Sequence, residues 1–301
     1  MNIKQLRLFH EIMLTGRVAQ AAERLHISQP AASKMLAALE HHLGYKLFAR
    51  QAGRLQPTPE ATYLHRETLE VLEGVSRLEE SFERAKYGQP DKLNIASIFA
   101  PAQLLLPQLM AAQYRNQPAL QLGLQVLSPA QICEGVASGK YSLGLVDRKY
   151  RDKRYHSVDF SLPCYCALHS SHPAAKLAQL TPQDLVDTPW ITFSPTTSIY
   201  KALKTSYSQA GLRVVQGIEV NGSLNAAALV AQNCGATLLD AVSLHYLEQC
   251  QPHPELVFKP FSPAISEPLS LISYSGQPLS RAAAELAAQV QAALTALCQK
   301  H

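Results

Sequence analysis

The amino-acid sequence predicts an α+β multidomain protein with an N-terminal winged helix-turn-helix, a long helix and a two-lobed α/β domain. Three observations lead to this prediction. Residues 1–58 hold short helical patterns and then a hairpin pattern, residues 59–87 form one long helical pattern, and strands alternate with helices from Lys92 onward. The chain of 301 residues exceeds the usual size of one domain, and 47% of it is hydrophobic, enough to bury several cores.

Three short helices are expected in the first 45 residues. Apolar residues recur at helical spacing in the first helix, which ends near Gly16, and Ala21 and Ala22 mark a second helix. Ser28 is a good N-cap for the third helix, and Pro30 suits its first turn because the missing N–H would have no helical partner. The buried stripe of the third helix is predicted to be Ala32, Met35, Leu36, Leu39 and Leu43.

A hairpin or wing is predicted after the third helix. Leu47-Phe48 and Leu55 flank a turn at residues 51–53, with Arg50 and Arg54 on either side. Residues 1–58 hold eight Lys and Arg against three Glu, a net charge of +5, whereas residues 59–86 carry −3. The positive charge is therefore concentrated where a polyanionic partner would bind.

One long helix is predicted from the Pro57-Thr58-Pro59 segment to about Lys86. Its apolar positions follow a heptad spacing over about three repeats. The positions are Leu64, Thr68, Val71, Val75, Leu78, Phe82 and Ala85. We therefore expect a helix–helix partner and self-association as a dimer or tetramer; the alternative is one apolar face packed on its own domain. Residues 88–91 break the helix and are the predicted hinge.

The remainder of the chain predicts two βαβ-type subdomains. Subdomain I is assigned to residues 92–162 and 268–301, and subdomain II to residues 163–267. The predicted helices include 102–114, 130–138, 199–210 and 224–232. The predicted strands include 92–98, 120–127, 141–147, 190–194, 214–220, 236–239 and 269–274.

Short polar side chains lie on the outward face of the third helix, which a helix-turn-helix places in the major groove. Gln29 can make bidentate hydrogen bonds to adenine, and the Pro30 ring can meet a thymine methyl group. Ser33 and Lys34 suit phosphate contacts. The two arginines of the wing suit the minor groove or its flanking backbone. A generic three-helix bundle with a solvated polar face is the alternative.

At this point the sequence resembles the LysR-type transcriptional regulators. The matching text is residues 6–9, 21–33, 39–40, 43–44, 47–50 and 55–58, most of the first 60 residues. The resemblance implies a linker helix that dimerises and an effector domain of the periplasmic-binding-protein type. It also implies tetramers, pseudo-palindromic operators in double-stranded DNA, a small-molecule co-inducer that alters DNA bending, and contact with RNA polymerase. By position, it assigns DNA contacts to Gln29, Pro30, Ser33, Lys34, Arg50 and Arg54, and we add Thr58.

The sequence departs from the family pattern at three positions. Family members usually carry a hydroxyl at positions 17 and 19, where it caps the second helix and reaches a phosphate, but this chain has Arg17 and Ala19. Losing such a cap typically costs about 1 kcal/mol. We therefore expect the second helix to start differently, with Arg17 replacing the phosphate contact. Ala37 stands where many members carry a basic residue.

A ligand cleft is predicted at the carboxyl ends of the strands, between the two lobes. Hydroxyls and free N–H groups at helix N-termini favour a carboxylate, although plain N-capping explains each hydroxyl equally well. Asp240 ends an apolar strand, where it either pairs with a ligand ammonium or guanidinium group or caps the next helix. The predicted effector contacts are Ser97, Phe99, Ala100, Ser128, Asp147, Ser194, Thr196, Thr197, Ser198, Asn221, Ser223 and Asp240. The pattern is most similar to members concerned with amino acids, so we expect an effector with carboxylate and amino groups.

Other classes of protein fit the sequence less well. No histidine pairs with Cys or Glu at metal-ligand spacing, and neither a G-x-S-x-G motif nor a phosphate-binding glycine loop occurs, so an enzyme, a metal site or a cofactor is not expected. A solute-binding protein would leave the basic N-terminal region unexplained. A redox-responsive regulator is the main alternative, but Cys164 and Cys166 are expected to be inert thiols with side chains on opposite faces of a strand. The charged N-terminus and the absence of a long apolar run predict a cytoplasmic protein without a membrane span.

Overall fold

The structure, a computed structural model, describes residues 1–51, 54–87, 92–147 and 152–299. At some positions within these ranges only the backbone is described. They are Arg50, Gln51, Arg54, Arg77, Glu80, Ser81, Arg84, Ala85 and Tyr87. The chain divides into two units, Met1–Gln89 and Pro90–His301. The predicted hinge at 88–91 lies outside the described residues. No helix in the described ranges combines the length and apolar character that a membrane span requires.

The first unit is a helix-turn-helix followed by a hairpin and a long helix. Its elements are α1 (Ile3–Thr15), α2 (Val18–Arg24), α3 (Gln29–Leu43), β1 (Phe48–Gln51), β2 (Arg54–Pro57) and α4 (Pro59–Tyr87). Asn2 and Gln5 form a capping box at the start of α1, and Gly16 ends the helix at φ +67°, a left-handed conformation that suits glycine. Ser28 caps α3 by accepting a hydrogen bond from the amide of Ala31, as predicted.

The core of the first unit is built from one face of each short helix. Leu8, Phe9 and Ile12 of α1 are almost fully buried and lie in one cluster with residues of α2, α3 and β1. The predicted stripe of α3 is confirmed, because Ala32 and Leu39 are buried and the other three members pack against the same cluster. Strands β1 and β2 pair antiparallel with residue 51 opposite residue 54, which confirms the predicted wing.

The second unit is a sheet-based α/β structure. Its helices are α5 (Phe99–Leu104), α6 (Leu106–Asn116), α7 (Pro129–Ala137), α8 (Ser198–Gln209), α9 (Ser223–Ala231), α10 (Ala241–Gln249) and α11 (Arg281–Gln299). Its strands are β3 (Lys92–Ser97), β4 (Gln121–Val126), β5 (Leu143–Val146), β6 (Tyr155–His169), β7 (Trp190–Thr192), β8 (Gln216–Glu219), β9 (Thr237–Asp240), β10 (Leu256–Pro260) and β11 (Ser266–Tyr274). Two 3₁₀ turns, Pro173–Lys176 and Pro182–Leu185, follow β6.

One long strand carries the chain from the first lobe to the second. The sheet order is β10-β6-β11-β5-β3-β4, and β9 also pairs with β6. The first half of β6 pairs with β11, whereas its last six residues pair with β9 and β10. We define lobe I as β3–β5, β11, α5–α7, α11 and the first half of β6, and lobe II as β7–β10, α8–α10 and the second half of β6.

The structure differs from the prediction in how lobe I begins. One helix was expected over residues 102–114, but two helices meet at Leu105, where φ is −115° and ψ is −56°. Pro107 explains the break, because proline has no amide to continue the hydrogen-bond ladder and its ring crowds the preceding turn. Strand β10 was not predicted.

Candidate nucleic-acid interface and ligand cleft

Helix α3 presents a polar face on the side opposite its buried stripe. Gln29, Pro30, Ser33 and Lys34 are all exposed, as is Ala37 one turn further along. This places the four predicted contacts on one accessible surface at the N-terminal half of the helix. The face has little bulk, so a nucleic-acid groove can approach the helix backbone closely.

Helix α2 begins at Val18 although the family's usual hydroxyl cap is missing. Arg17 occupies the N-cap position with extended backbone dihedrals, and its side chain makes no capping hydrogen bond. Thr15 holds the turn before α2 instead, since its hydroxyl donates to the carbonyl of Glu11 at 2.8 Å and accepts from the Arg17 amide at 3.4 Å. The exposed guanidinium of Arg17 is therefore free to serve an outside partner.

The wing carries the other predicted cations on its two strands. Arg50 lies opposite Leu55 and Arg54 lies opposite Gln51 in the β1–β2 register, but the side chains of both arginines fall outside the described part of the chain. Thr58 stands at the base of the wing. Its hydroxyl donates to the carbonyl of Lys46 and accepts from the amide of Ala61, each at 3.2 Å, so it caps α4 and fastens the helix to the wing.

Glu40 fastens the third helix to the wing, a contact that the sequence did not predict. The side chain is only 8% exposed, and its carboxylate accepts from the amide of Leu47 at 2.9 Å and from Lys46 Nζ at 2.7 Å. A buried carboxylate with two donors holds its neighbours at fixed distance. Glu40 thus sets the position of the wing relative to the outward face of α3.

Two histidines join α1 to α4 beside this core. His10 Nδ1 and His65 Nε2 are 2.9 Å apart, and their rings stack with centroids separated by 5.2 Å. Burial, with a smaller contribution from His10, lowers the pKa of His65. The pair was not predicted, because nothing in the sequence relates positions 10 and 65.

The predicted heptad seam of α4 divides into two parts. Thr68 is 2% exposed and Leu64 packs against the core of its own unit, so the first part fits the alternative of a face packed internally. Val71, Leu78 and Phe82 are 49%, 56% and 66% exposed. The second part therefore presents bare apolar side chains along one side of the helix, while Ala85 falls outside the described side chains.

The predicted cleft residues of lobe I lie at the ends of β3, β4 and β5. Ser97 is fully buried and its hydroxyl donates to the carbonyl of Ile98 at 2.9 Å, whereas Ser128 caps α7 together with Gln131. Ala100 lies in α5, and Asp147 follows β5. The hydroxyls of Ser97 and Ser128 are therefore engaged within lobe I.

Phe99 brings the two lobes into contact. Gly222, the residue before α9, has φ +91°, and a Cβ atom at this position would lie 2.6 Å from Phe99 Cε1. The phenyl ring therefore lies directly on the glycine. This contact places the predicted residues Asn221 and Ser223 of lobe II next to Phe99 of lobe I.

The N-termini of α8 and α9 differ in how their amides are used. Thr197 caps α8 by accepting from the amide of Tyr200, and Ser194 and Thr196 hydrogen-bond to each other, with Ser198 next in the helix. Helix α9 starts after Gly222 without a side-chain cap. Of the two, α9 is the helix with amides left for a ligand.

Asp240 acts as the N-cap of α10, the second of the two roles considered for it. Its Oδ1 accepts from the amides of Val242 and Ser243 at 2.9 and 3.0 Å, and its Oδ2 accepts from the Ser243 hydroxyl at 2.9 Å. Burial raises the pKa of Asp240, and these hydrogen bonds oppose the rise. Both oxygens are thus engaged within α10.

Glu267 lies beside the N-terminus of α8, and the sequence did not indicate it. It lies at the start of β11, and its carboxyl group accepts a hydrogen bond from the amide of Ile199 in α8. Burial first, then Asp240 and Asp147, raise the pKa of Glu267 to about 8. A single glutamate before Pro268 at a strand end is common on protein surfaces, so no sequence signal marked it.

The predicted thiols are buried, but their predicted orientation is wrong. Cys164 and Cys166 are 5% and 0% exposed, and burial raises the pKa of both. They belong to the same apolar cluster, because residues two apart in a strand share a face. Neither forms a disulfide, and the described residues contain no group of three or more His, Cys, Asp or Glu that could hold a metal ion.

Two family models match the chain over most of its length. The model described as "Bacterial regulatory helix-turn-helix protein, lysR family" matches residues 3–62, and "LysR substrate binding domain" matches residues 88–295. The chain is 27% identical over 298 residues to the transcriptional activator protein LysR of Escherichia coli (strain K12), covering 98% of this chain and 94% of that protein.

Further relatives and solved structures are similar over long stretches. The octopine catabolism/uptake operon regulatory protein OccR of Rhizobium meliloti is 28% identical over 240 residues, covering 80% of each chain. The crystal structure of full-length CbnR complexed with target DNA superposes with a TM-score of 0.70 at 22% identity, covering 97% of this chain and 99% of that one. That likeness supports the fold.

Proposed function

Because the chain belongs to the LysR family, and is therefore a DNA-binding transcriptional regulator with an effector-binding domain, we propose that an amino acid or amino-acid derivative in the cleft controls its operator binding. The observation that carries this proposal is the polar face of α3 in one unit together with the contact between Phe99 and Gly222 across the lobes of the other. The family consists of regulators and not of enzymes, in agreement with the sequence-based exclusion of an enzyme.

The proposed base contacts come from the N-terminal half of α3. Gln29 and Pro30 are accessible for base edges, and Ser33 and Lys34 for phosphates, which is the division of labour in helix-turn-helix proteins. Arg17 replaces the missing hydroxyl as a phosphate contact beside α2. Arg50, Arg54 and Thr58 remain proposed contacts of the wing and its base.

Mapping of genomic DNA bound by the protein tests this proposal and supplies the operator. On that operator, Gln29→Ala is expected to weaken binding by about 1–3 kcal/mol and to relax specificity at one base pair. Lys34→Ala is expected to weaken binding to all duplexes alike and to lower the slope of log K against log salt concentration by about one. Absence of preference for any duplex sequence would contradict the proposal.

Self-association is proposed to use the exposed second part of α4. Val71, Leu78 and Phe82 repeat on one side of the helix, and large apolar side chains with such exposure commonly lie at an interface. A dimer or tetramer would bring two reading helices to the two halves of a pseudo-palindromic operator. Contact with RNA polymerase stays a proposal that follows from the family.

The proposed effector carries both a carboxylate and an amino group. The uncapped start of α9, next to Phe99, favours the carboxylate because its amides point outward at the positive end of the helix dipole. Elsewhere in the unit, the carboxyl groups of Asp240 and Asp147 raise the pKa of Glu267, which favours a positive group there. The name of one relative, OccR, refers to octopine, an amino-acid derivative.

Isothermal titration calorimetry with a panel of amino acids and simple carboxylates tests the effector class. Heat from amino acids, accompanied by altered operator binding, supports the proposal. Heat from aromatic acids or metals alone would contradict it.

A further inference from the structure

The N-terminus of α8 is already occupied by the protein itself. The Glu267 carboxyl group accepts from the amide of Ile199, and the Thr197 hydroxyl accepts from the amide of Tyr200 at 3.4 Å. The hydroxyls before α8 are among the predicted effector contacts. A ligand carboxylate here would have to displace the Glu267 carboxyl group from the amide of Ile199.

Two carboxyl oxygens at this place have no hydrogen-bond partner among the described residues. Glu267 Oε2 and Asp147 Oδ1 are shielded from solvent, and no side chain or amide in the described ranges donates to either. A buried polar atom without a hydrogen-bond partner destabilises the folded protein, and a ligand that donates a hydrogen bond to this atom removes the penalty. The two residues come from different strands, β11 and the end of β5, and Asp147 is near enough to Glu267 to raise its pKa.

Asp240 does not supply the missing recognition. Each of its oxygens already accepts hydrogen bonds from the first turn of α10. Its negative charge still acts on Glu267. The oxygens that can still accept a hydrogen bond therefore belong to Glu267 and Asp147, while Asp240 contributes only its negative charge.

We propose that Glu267 determines the charge of the effector by accepting a hydrogen bond from its cationic group, an ammonium or guanidinium, with Asp147 as a second acceptor. The inference rests on the proposed function, because it takes the interlobe cleft as the effector site. Both cation types carry several N–H donors, so one group can satisfy two acceptors. An effector without N–H or O–H donors would leave both oxygens unpaired.

Binding of a cation at this place is coupled to release of a proton. The pKa of Glu267, raised to about 8 by burial and by Asp240 and Asp147, keeps the free carboxyl group protonated at pH 7. A bound cation favours the carboxylate, so Glu267 loses its proton to the buffer. Cys164 also faces Glu267, but burial raises the pKa of its thiol, which stays neutral. Affinity for a cation is expected to rise by up to about tenfold per pH unit below pH 8.

Calorimetry on the full-length protein tests the inference with agmatine, putrescine, L-arginine and L-lysine as probes. Titrations at pH 7 in phosphate and in Tris, which differ in ionisation enthalpy, measure the protons released. At least one probe is expected to bind with release of about one proton. Glu267→Gln, which keeps an acceptor for the Ile199 amide, is expected to weaken that probe at least about tenfold and to abolish proton release.

Asp187→Asn is the matched control, because Asp187 is an exposed carboxylate of the same unit and the substitution makes the same exchange of a carboxyl group for an amide. This variant is expected to bind as the wild type does. Tryptophan fluorescence verifies that both variants are folded, since Trp190 is fully buried.

Three outcomes would overturn the inference. They are the absence of binding by all four cations, binding without proton release, and equal affinities of Glu267→Gln and Asp187→Asn. If a carboxylate without any cationic group altered operator binding, regulation by a ligand would stand and the role of Glu267 would fall. If no small molecule altered operator binding, the proposed function itself would fail.

Discussion

Replacing Glu267 with glutamine is expected to stabilise the second unit at alkaline pH. Burial and the neighbouring carboxyl groups of Asp240 and Asp147 raise the pKa of Glu267 from 4.5 to about 8 in the folded protein. Between these two pH values the folded chain holds a proton that the unfolded chain has lost. Stability therefore falls as pH rises through this window, and glutamine, which never ionises, removes that loss.

The magnitude follows from the width of the window. One pKa unit corresponds to about 1.4 kcal/mol. Between pH 5 and pH 9 the wild type is therefore expected to lose about 4 kcal/mol relative to Glu267→Gln, most of it between pH 5 and pH 8. Near pH 5 the two proteins are expected to differ little, because both carry a neutral side chain at this position.

Urea unfolding at pH 5, 7 and 9 measures this difference, and tryptophan fluorescence is a selective probe. The chain contains one tryptophan, Trp190, which lies buried in lobe II, so its emission reports the second unit alone. Asp187→Asn controls for the exchange of a carboxyl group for an amide. A free-energy difference between Glu267→Gln and wild type that stayed constant from pH 5 to pH 9 would refute the assignment of a raised pKa.

Three further substitutions test other parts of the structure. Glu40→Ala is expected to destabilise the first unit by about 1–3 kcal/mol, seen in thermal melting, because the buried amide of Leu47 loses its acceptor. Gly222→Ala is expected to lower the free energy of unfolding by about 1–2 kcal/mol because of the positive φ at this position, and further because the new Cβ atom meets Phe99. The second contribution is expected to disappear in a Phe99→Ala background, so equal losses in both backgrounds would contradict the contact. Leu78→Glu is expected to lower the oligomeric state in analytical ultracentrifugation, and an unchanged sedimentation coefficient would place the interface elsewhere.

The DNA-binding unit was predictable because its determinants are local. Ser28 and Pro30 start α3 and Gly16 ends α1, and each acts on residues within one turn of itself. The wing follows from apolar residues on either side of a short turn. Glu40 escaped prediction because its partner amide belongs to a different element, and helical spacing alone gives no reason to bury a glutamate.

The predicted effector contacts follow from strand ends and N-caps, which are visible in the sequence. Three of them, Phe99, Asn221 and Ser223, lie near one another because Phe99 contacts Gly222. The α8 N-terminus, in contrast, receives a carboxyl group from residue 267, which lies 68 positions after Ile199 and reaches it only through the crossover strand. Spacing in the sequence cannot reveal such a contact.

Asp240 and Glu267 show why residue type alone does not define a ligand contact. Both are carboxyl groups in one unit, and burial raises the pKa of each. Asp240 meets three donors from α10, which satisfy both of its oxygens and fix it as a cap. Glu267 meets the amide of Ile199 and keeps a shielded oxygen without a donor in the described part of the chain. The number of hydrogen-bond donors within reach, and not the acidity of the side chain, therefore distinguishes the carboxyl group that caps a helix from the one proposed to bind a cation.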